Sequence, residues 1–125
     1  MGQVVYTKDH EWLSIKDDVI TIGVTEFAQQ QLGDVVFVEL PDVGSTLSIG
    51  DEAAVIESVK AAGEISVPLG GVVVSVNESL IDEPELLNSA PETDGWIFRL
   101  TPTIAVDLRD FMDAGQYQQY TQDGE

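Results

Sequence analysis

Ala53-Ala54-Val55-Ile56-Glu57-Ser58-Val59 is apolar toward both sides, and the apolar character resumes at Ile65-Ser66-Val67-Pro68. A two-sided apolar run this short has the pattern of a strand lying inside a sandwich. Between the two runs stands Lys60-Ala61-Ala62-Gly63-Glu64, where small residues and a glycine suit a turn joining antiparallel strands. The stretch therefore reads as a hairpin with a lysine projecting from its tip.

Working outward, apolar residues alternate with a period of two. Leu13 and Ile15 lead into Asp17-Asp18, and Ile20, Ile22 and Val24 come next, alternating with Thr21 and Gly23, which predicts a second hairpin. Val36, Val38 and Leu40 form a stripe closed by Pro41, with Gly44 and Gly50 punctuating the chain beyond it. Val72, Val74 and Val76 form another stripe, and Trp96, Phe98 and Leu100 a third. The expected fold class is mostly β. Helical signals are few and peripheral. Thr25 is a good cap for a short helix over 26–32, with Glu26 in its first turn and Gly33 ending it. Pro84 can open a single turn through Leu87. Leu108, Phe111 and Met112 fall at helical spacing between Asp107 and Gly115, and Tyr117 and Tyr120 extend the stripe. A helical tail over about 105–121 is expected to pack on the sheet, with the polar end from Gln116 fraying.

At 125 residues the chain is expected to be a single domain, 1–125, without an internal linker. Its 23 Asp and Glu against 5 Lys and Arg give a net charge of −18, while 43% of residues are apolar, enough to fold. Five scattered cations in so repulsive a field argue against nucleic acid and against an anionic membrane surface. Without cysteine and with one histidine, neither a disulfide framework nor a multi-His metal site is expected. No apolar run has the length of a spanning helix, the start lacks an apolar signal core, and Tyr6 stands where a myristoylation signal needs Ser or Thr. The expected setting is soluble, intracellular and reducing, so the sequon Asn77-Glu78-Ser79 reads as a chance match.

Positions 17 through 98 hold 16 carboxylates and one basic side chain, Lys60. Three uses are open for it. A loop lysine between Glu57 and Glu64 can simply relieve repulsion, an exposed pairing that contributes about 0–1 kcal/mol, and sequence statistics alone favour this use. A catalytic amine needs desolvation or a neighbouring cation to lower its pKa, whereas neighbouring carboxylates favour the protonated form. The third use is attachment: an exposed, long-stemmed amine on a stiff two-strand tip can be acylated and then swing its cargo.

Glu57-Ser58-Val59-Lys60-Ala61 closely resembles the lipoylation motif of the glycine cleavage system H-protein family. The resemblance extends from about Tyr6 to Pro102. It includes His10-Glu11-Trp12, Ile22-Gly23-Val24-Thr25, Ala28-Gln29, Leu32-Gly33-Asp34-Val35-Val36-Phe37-Val38-Glu39-Leu40-Pro41, Val76-Asn77, Leu87-Asn88-Ser89 and Gly95-Trp96. Biotin carriers usually set their lysine between methionines, and lipoyl domains of 2-oxo acid dehydrogenase acyltransferases typically carry Asp before it and lack the His-Glu-Trp block and terminal helix.

The resemblance implies a flattened β barrel, or barrel-sandwich hybrid, with lipoate in amide linkage on Lys60. It implies a carrier rather than an enzyme: a shuttle, monomeric, for the aminomethyl group of glycine. The implied partners are a pyridoxal-phosphate glycine decarboxylase, a tetrahydrofolate-dependent aminomethyltransferase, an FAD-containing dihydrolipoyl dehydrogenase and a lipoyl-attaching enzyme. The implied place is the bacterial cytoplasm, or the mitochondrial matrix for a mature organellar form. Glu11 and Glu64, with Asp9 assisting, match the acids that dock the loaded arm, and Leu32 matches an apolar cleft wall. Two readings compete: an H-like relay passing lipoate to other acceptors, or the lipoyl domain of another lipoate-dependent complex; a non-lipoylated interaction module is a third, of a different class.

Gln31 departs from the family pattern, standing where several members have His. Leu69-Gly70-Gly71-Val72 replaces a more polar stretch, and Glu92 comes after Pro91 where an aromatic is common. These bear on the lining of the cleft rather than on the lysine. His10 is expected to be packed or at the surface rather than a general base, and Trp12 and Trp96 to anchor the barrel.

Overall fold

The computed structural model describes residues 3–103 and 107–122. Strands β1 (Gln3–Tyr6), β2 (Glu11–Lys16) and β3 (Val19–Val24) form an antiparallel meander, with helix α1 (Glu26–Leu32) after it. Next come β4 (Val35–Glu39), the two-residue β5 (Thr46–Leu47), β6 (Glu52–Ser58), β7 (Ala62–Ser66) and β8 (Gly71–Val76). Single-turn helices α2 (Ser79–Asp82) and α3 (Leu86–Ser89) lead to β9 (Phe98–Pro102), a 3-10 turn at Leu108–Asp110 and α4 (Ala114–Gln122). The strands make two sheets, one in the order β1-β2-β3-β9-β8-β5 and the other β4-β6-β7, all pairs antiparallel.

The sheets share one core. Leu13, Ile20, Ile22, Val24, Phe98 and Leu100 from the larger meet Val35, Val38, Ala54, Ile56 and Ile65 from the smaller, with Leu80 and Leu87 also in the cluster. Burying each large apolar side chain contributes about 1.5–3 kcal/mol. Among the described residues no strand pair joins one sheet to the other, so the flattened barrel is a sandwich open at its seams. The hairpin expected around Asp17-Asp18 is present, with Leu13 opposite Ile22 and Ile15 opposite Ile20. The short helix is present as well. Thr25 caps it by accepting the Ala28 N–H at 3.2 Å, and Gly33, at φ 76°, returns its N–H to the Gln29 carbonyl.

In two of the expected stripes part of the pattern holds, with Val38, Leu40 and Val76 on the core, but bulges turn Val36 and Val74 outward. In β4 a bulge between Val35 and Phe37 inserts an extra residue, so the core-facing pair is Val35 and Val38 while Val36 is 55% exposed. In β8 Val73 pairs with Leu100 and Val76 with Phe98, across a second irregularity between Val73 and Ser75. Val73 is therefore fully buried and Val74 exposed, while Val76 of the expected Val72, Val74, Val76 stripe still packs on the core. In the third stripe Phe98 and Leu100 hold, but Ile97 is buried just before the strand, and Trp96 is half-buried with the Arg99 guanidinium 4.0 Å over its ring.

The C-terminal expectation also needs correction. Residues 104–106 of the expected tail lie outside the described residues. Beyond them, Met112 bridges to Tyr6 through backbone bonds of 2.8 and 2.9 Å, which commits its peptide groups to a sheet-like pairing and separates the 3-10 turn from the helix. The helix begins only at Ala114, with Gly115 inside its first turn, and continues through Gln122 rather than fraying from Gln116.

Trp12 is buried, as expected of an anchor, and donates its indole N–H to the Pro91 carbonyl at 2.9 Å. Its ring lies so close to Gly23 that a Cβ there would come within 2.7 Å of the indole nitrogen. Gly23→Ala is accordingly expected to destabilise the protein by about 1–3 kcal/mol, measured by urea denaturation; an unchanged midpoint would mean that Trp12 can move aside freely.

Candidate functional site

The β6–β7 hairpin carries Lys60 at its tip, in solvent. The tip is held by a single hydroxyl. Ser58 Oγ accepts the backbone N–H groups of Lys60 at 3.3 Å and Ala61 at 3.1 Å and donates to the Ala61 carbonyl at 3.0 Å, while the Ser58 N–H donates to that same carbonyl at 2.8 Å. The Val59 N–H reaches the Asp34 carbonyl, tying the tip to the loop after α1. That loop is braced in turn by Asn88. Its side chain accepts the Val35 N–H at 2.8 Å and donates to the Gly33 carbonyl at 2.8 Å and to Gln29 at 3.1 Å. The aliphatic stem of Lys60 lies across Gly33, where a Cβ would meet Lys60 Cε at 2.9 Å. Glycine at 33 thus serves twice, supplying a left-handed helix end and leaving room for the stem.

Glu11, Glu64 and Asp9 are brought together. They line one cleft of about 420 Å³ with Lys8, His10, Ile65 and Ser66, between the β1–β2 corner and β7. Asp9 and Glu64 are exposed, but Glu11 is only 3% exposed. The Thr7 hydroxyl donates to the Glu11 carboxyl at 3.3 Å. Burial, then the charge of Asp9, push the Glu11 pKa up to about 8, and the Thr7 bond opposes the rise. At neutral pH Glu11 is therefore held mainly in its protonated form. Glu64 also shares a hydrogen bond with Glu52, whose pKa is raised by that bond and by Glu64's charge. Lys60 and Leu32 are not part of the cleft lining. Half-buried Leu32 packs against the core, and its Cδ2 lies 3.9 Å from where a Gly63 Cβ would be, at the foot of the lysine hairpin.

His10 is packed rather than free. It has a φ of 68°, its ring lies 4.5 Å from that of Phe27, and its Nδ1 is hydrogen-bonded to the Tyr117 hydroxyl at 2.8 Å. Gln31 is exposed on α1. Glu92, at another departure, accepts the Glu26 N–H at 2.8 Å and so satisfies one amide in the first turn of α1. Sequence reasoning assigned no role in the site to Ser58, Thr7, Asn88 or Tyr117. Ser58 carried a signal, a hydroxyl two residues before the tip lysine. Thr7 sits one turn of chain from Glu11, and Asn88 and Tyr117 act through contacts distant in sequence.

Two facing antiparallel sheets with a lysine-tipped hairpin and a terminal helix define the barrel-sandwich, lipoyl-type class of carrier fold. The model of the family described as Glycine cleavage H-protein matches residues 4–124. The chain is 48% identical over 118 residues to the glycine cleavage system H protein of Bartonella quintana (strain Toulouse), covering 94% of this chain and 97% of that one. It is 50% identical over 115 residues to that of Thermotoga maritima, covering 92% and 93%. The crystal structure of a glycine cleavage system H protein from Mycobacterium marinum superposes with a TM-score of 0.87 at 33% identity, over 98% of each chain. The chain belongs to the glycine cleavage H-protein family.

The raised Glu11 pKa has a definite consequence for stability. The folded state binds this proton more tightly than the unfolded chain does, so the associated stability is complete below the unfolded value of 4.5 and is lost as pH rises through about 8. Relative to Glu11→Gln, the unmodified protein is expected to lose on the order of 3 kcal/mol between pH 5 and 8. Urea denaturation across that range checks this, and parallel pH profiles would show that Glu11 titrates as an ordinary exposed carboxyl.

Proposed function

We propose that this chain is the lipoyl-carrying shuttle of the glycine cleavage system, with lipoate in amide linkage on Lys60. It carries the aminomethyl group of glycine from the pyridoxal-phosphate decarboxylase to the tetrahydrofolate-dependent aminomethyltransferase, and electrons to the FAD-containing dihydrolipoyl dehydrogenase. A separate enzyme attaches the lipoyl group. The chain is a substrate of these enzymes rather than an enzyme itself, and it works as a cytoplasmic monomer. The observation that carries this reading is the exposed Lys60 amine on a hairpin tip fixed by Ser58, in a fold that also holds a cleft with a buried carboxyl.

The residues present fit a lipoyl amide. The amine is in solvent, where an acylating enzyme can reach it, and the stem runs over a glycine that leaves space for it. When attached, the lipoyl group supplies a redox-active dithiolane that accepts the one-carbon cargo and the electrons.

The chain's own residues supply anchorage and a docking place. Ser58 and the Asp34 carbonyl fix the direction in which the amine leaves the tip. The cleft is matched to a cargo whose amine is cationic when protonated. A carboxylate at about 4 Å attracts such a cation by roughly 1 kcal/mol at water-like screening and roughly 4 kcal/mol at an effective dielectric near 20. Glu11 lies at the dry end of that range and Asp9 and Glu64 at the wet end. An ammonium entering the cleft stabilises the Glu11 carboxylate, so Glu11 releases its proton to solvent as the cargo settles. With no cysteine in the chain, a reduced arm finds no internal thiol or disulfide for exchange.

Intact mass after co-expression with a lipoyl ligase is expected to show one lipoyl addition that Lys60→Arg abolishes. An addition that survives the substitution, or none at all, defeats the assignment. Glycine–bicarbonate exchange with purified decarboxylase then distinguishes the glycine route from other lipoate-dependent ones. Glu11→Ala is expected to accelerate non-enzymatic loss of the aminomethyl cargo several-fold without reducing lipoylation.

A further inference from the structure

The Tyr117 hydroxyl stands between two parts of the molecule that are distant in sequence from it. On one side it is hydrogen-bonded to His10 Nδ1 at 2.8 Å, on the other to Thr25 Oγ1 at 2.7 Å. Thr25 is the cap of α1, and His10 belongs to the corner that delivers Glu11. The bonds are mutually consistent, since one hydroxyl can donate to one neighbour while accepting from the other. Rings reinforce them. Tyr6 stacks on Tyr117 at 4.7 Å, and His10 is packed between Phe27 of α1 at 4.5 Å and Tyr117 of α4 at 5.7 Å.

The corner needs such support. His10 takes a left-handed φ of 68°, a conformation that a non-glycine residue adopts only where its surroundings hold it. Backbone bonds run from His10 N–H to the Thr7 carbonyl and from Thr25 N–H to the His10 carbonyl, so the corner already touches the start of α1. The imidazole itself lies among the rings of Phe27, Tyr117 and Tyr120, and the Tyr117 hydroxyl adds a directional bond to it. Glu11 is the next residue in sequence, facing Thr7, Asp9 and Lys8 from its own corner and Glu64 from β7.

We propose that Tyr117 is a positioning residue for the docking cleft: its hydroxyl ties the His10 corner to the cap of α1 and thereby keeps Glu11 at the place where the cargo amine docks. The C-terminal helix then acts as a clamp on the cleft as well as a cover for the sheet. This inference rests on the reading of the cleft as the dock for the loaded arm.

Tyr117→Phe removes the hydroxyl and keeps the ring, so the aromatic stack is retained. In the unlipoylated protein, carbon-detected NMR of the side-chain carboxyls gives the titration midpoint of Glu11. Tyr117→Phe is expected to lower that midpoint by about one pH unit, because the loosened corner admits water to the carboxyl. In the aminomethyl-loaded protein, at a temperature where circular dichroism shows the variant fully folded, cargo loss is expected to rise about fivefold. Combined with Glu11→Ala, Tyr117→Phe should add nothing further, since both act through one group. A lowered melting temperature with an unchanged Glu11 midpoint and unchanged cargo loss would overturn the proposal and leave the helix a purely structural role. Should Glu11→Ala itself leave cargo loss unchanged while Tyr117→Phe still shifts the Glu11 midpoint, the docking role of the cleft fails and the positioning of Glu11 by Tyr117 stands.

Discussion

As the proposed attachment point, Lys60 has to satisfy two opposed demands, standing free in water while departing from a fixed point. The Ser58 hydroxyl reconciles them. By accepting from two tip amides and donating to a tip carbonyl, it satisfies polar groups that a tight four-residue turn would otherwise leave to solvent. The backbone of the tip is thus held in place, and the lysine stem runs from it across Gly33 with the residue exposed to solvent. Around this point the molecule is arranged in layers of support: Asp34 against Val59, Asn88 under Gly33, and the sandwich core under both strands.

The proposed docking role adds a further demand, reversible retention of a cationic cargo. A wholly exposed carboxylate holds an ammonium too weakly in water to matter, and a fully desolvated ion pair would cost too much to form and release. Glu11 sits between these limits, buried but next to exposed Asp9 and Glu64 in an open cleft. Burial keeps it neutral when empty, so the free protein does not carry an unpaired buried charge. The surrounding excess of acids, 23 against 5 bases, then biases the cleft toward cations without further specialised groups.

Much of this was legible from sequence, for reasons that can be named. Period-two alternation located the Leu13–Val24 hairpin, and a two-sided apolar run with small turn residues located the lysine hairpin, because both are set by local turn chemistry and lack a bulge near the turn. It misplaced Val36 and Val74 because an inserted residue resets the phase within a strand, and nothing in a run of valines marks where the insertion falls. The C-terminal stripe failed at Met112 because pairing with Tyr6, far away in sequence, outweighed helical spacing. In the site, resemblance pointed to Glu11, Glu64 and Asp9, and the fold placed them in one cleft. Tyr117 and Asn88 stayed hidden because their partners are set by proximity in space rather than by pattern.

The bulge in β4 has one more effect. That strand lies at the border of the smaller sheet, and Val36 and Phe37 are both outward there, a combination that in a flat ribbon would invite another chain to add on. The irregularity between Val35 and Phe37 breaks the regular row of donors and acceptors, and Glu39 ends it with a charge. An edge interrupted in this way offers a poor template for strand addition, so the kink works against edge-to-edge aggregation at this border.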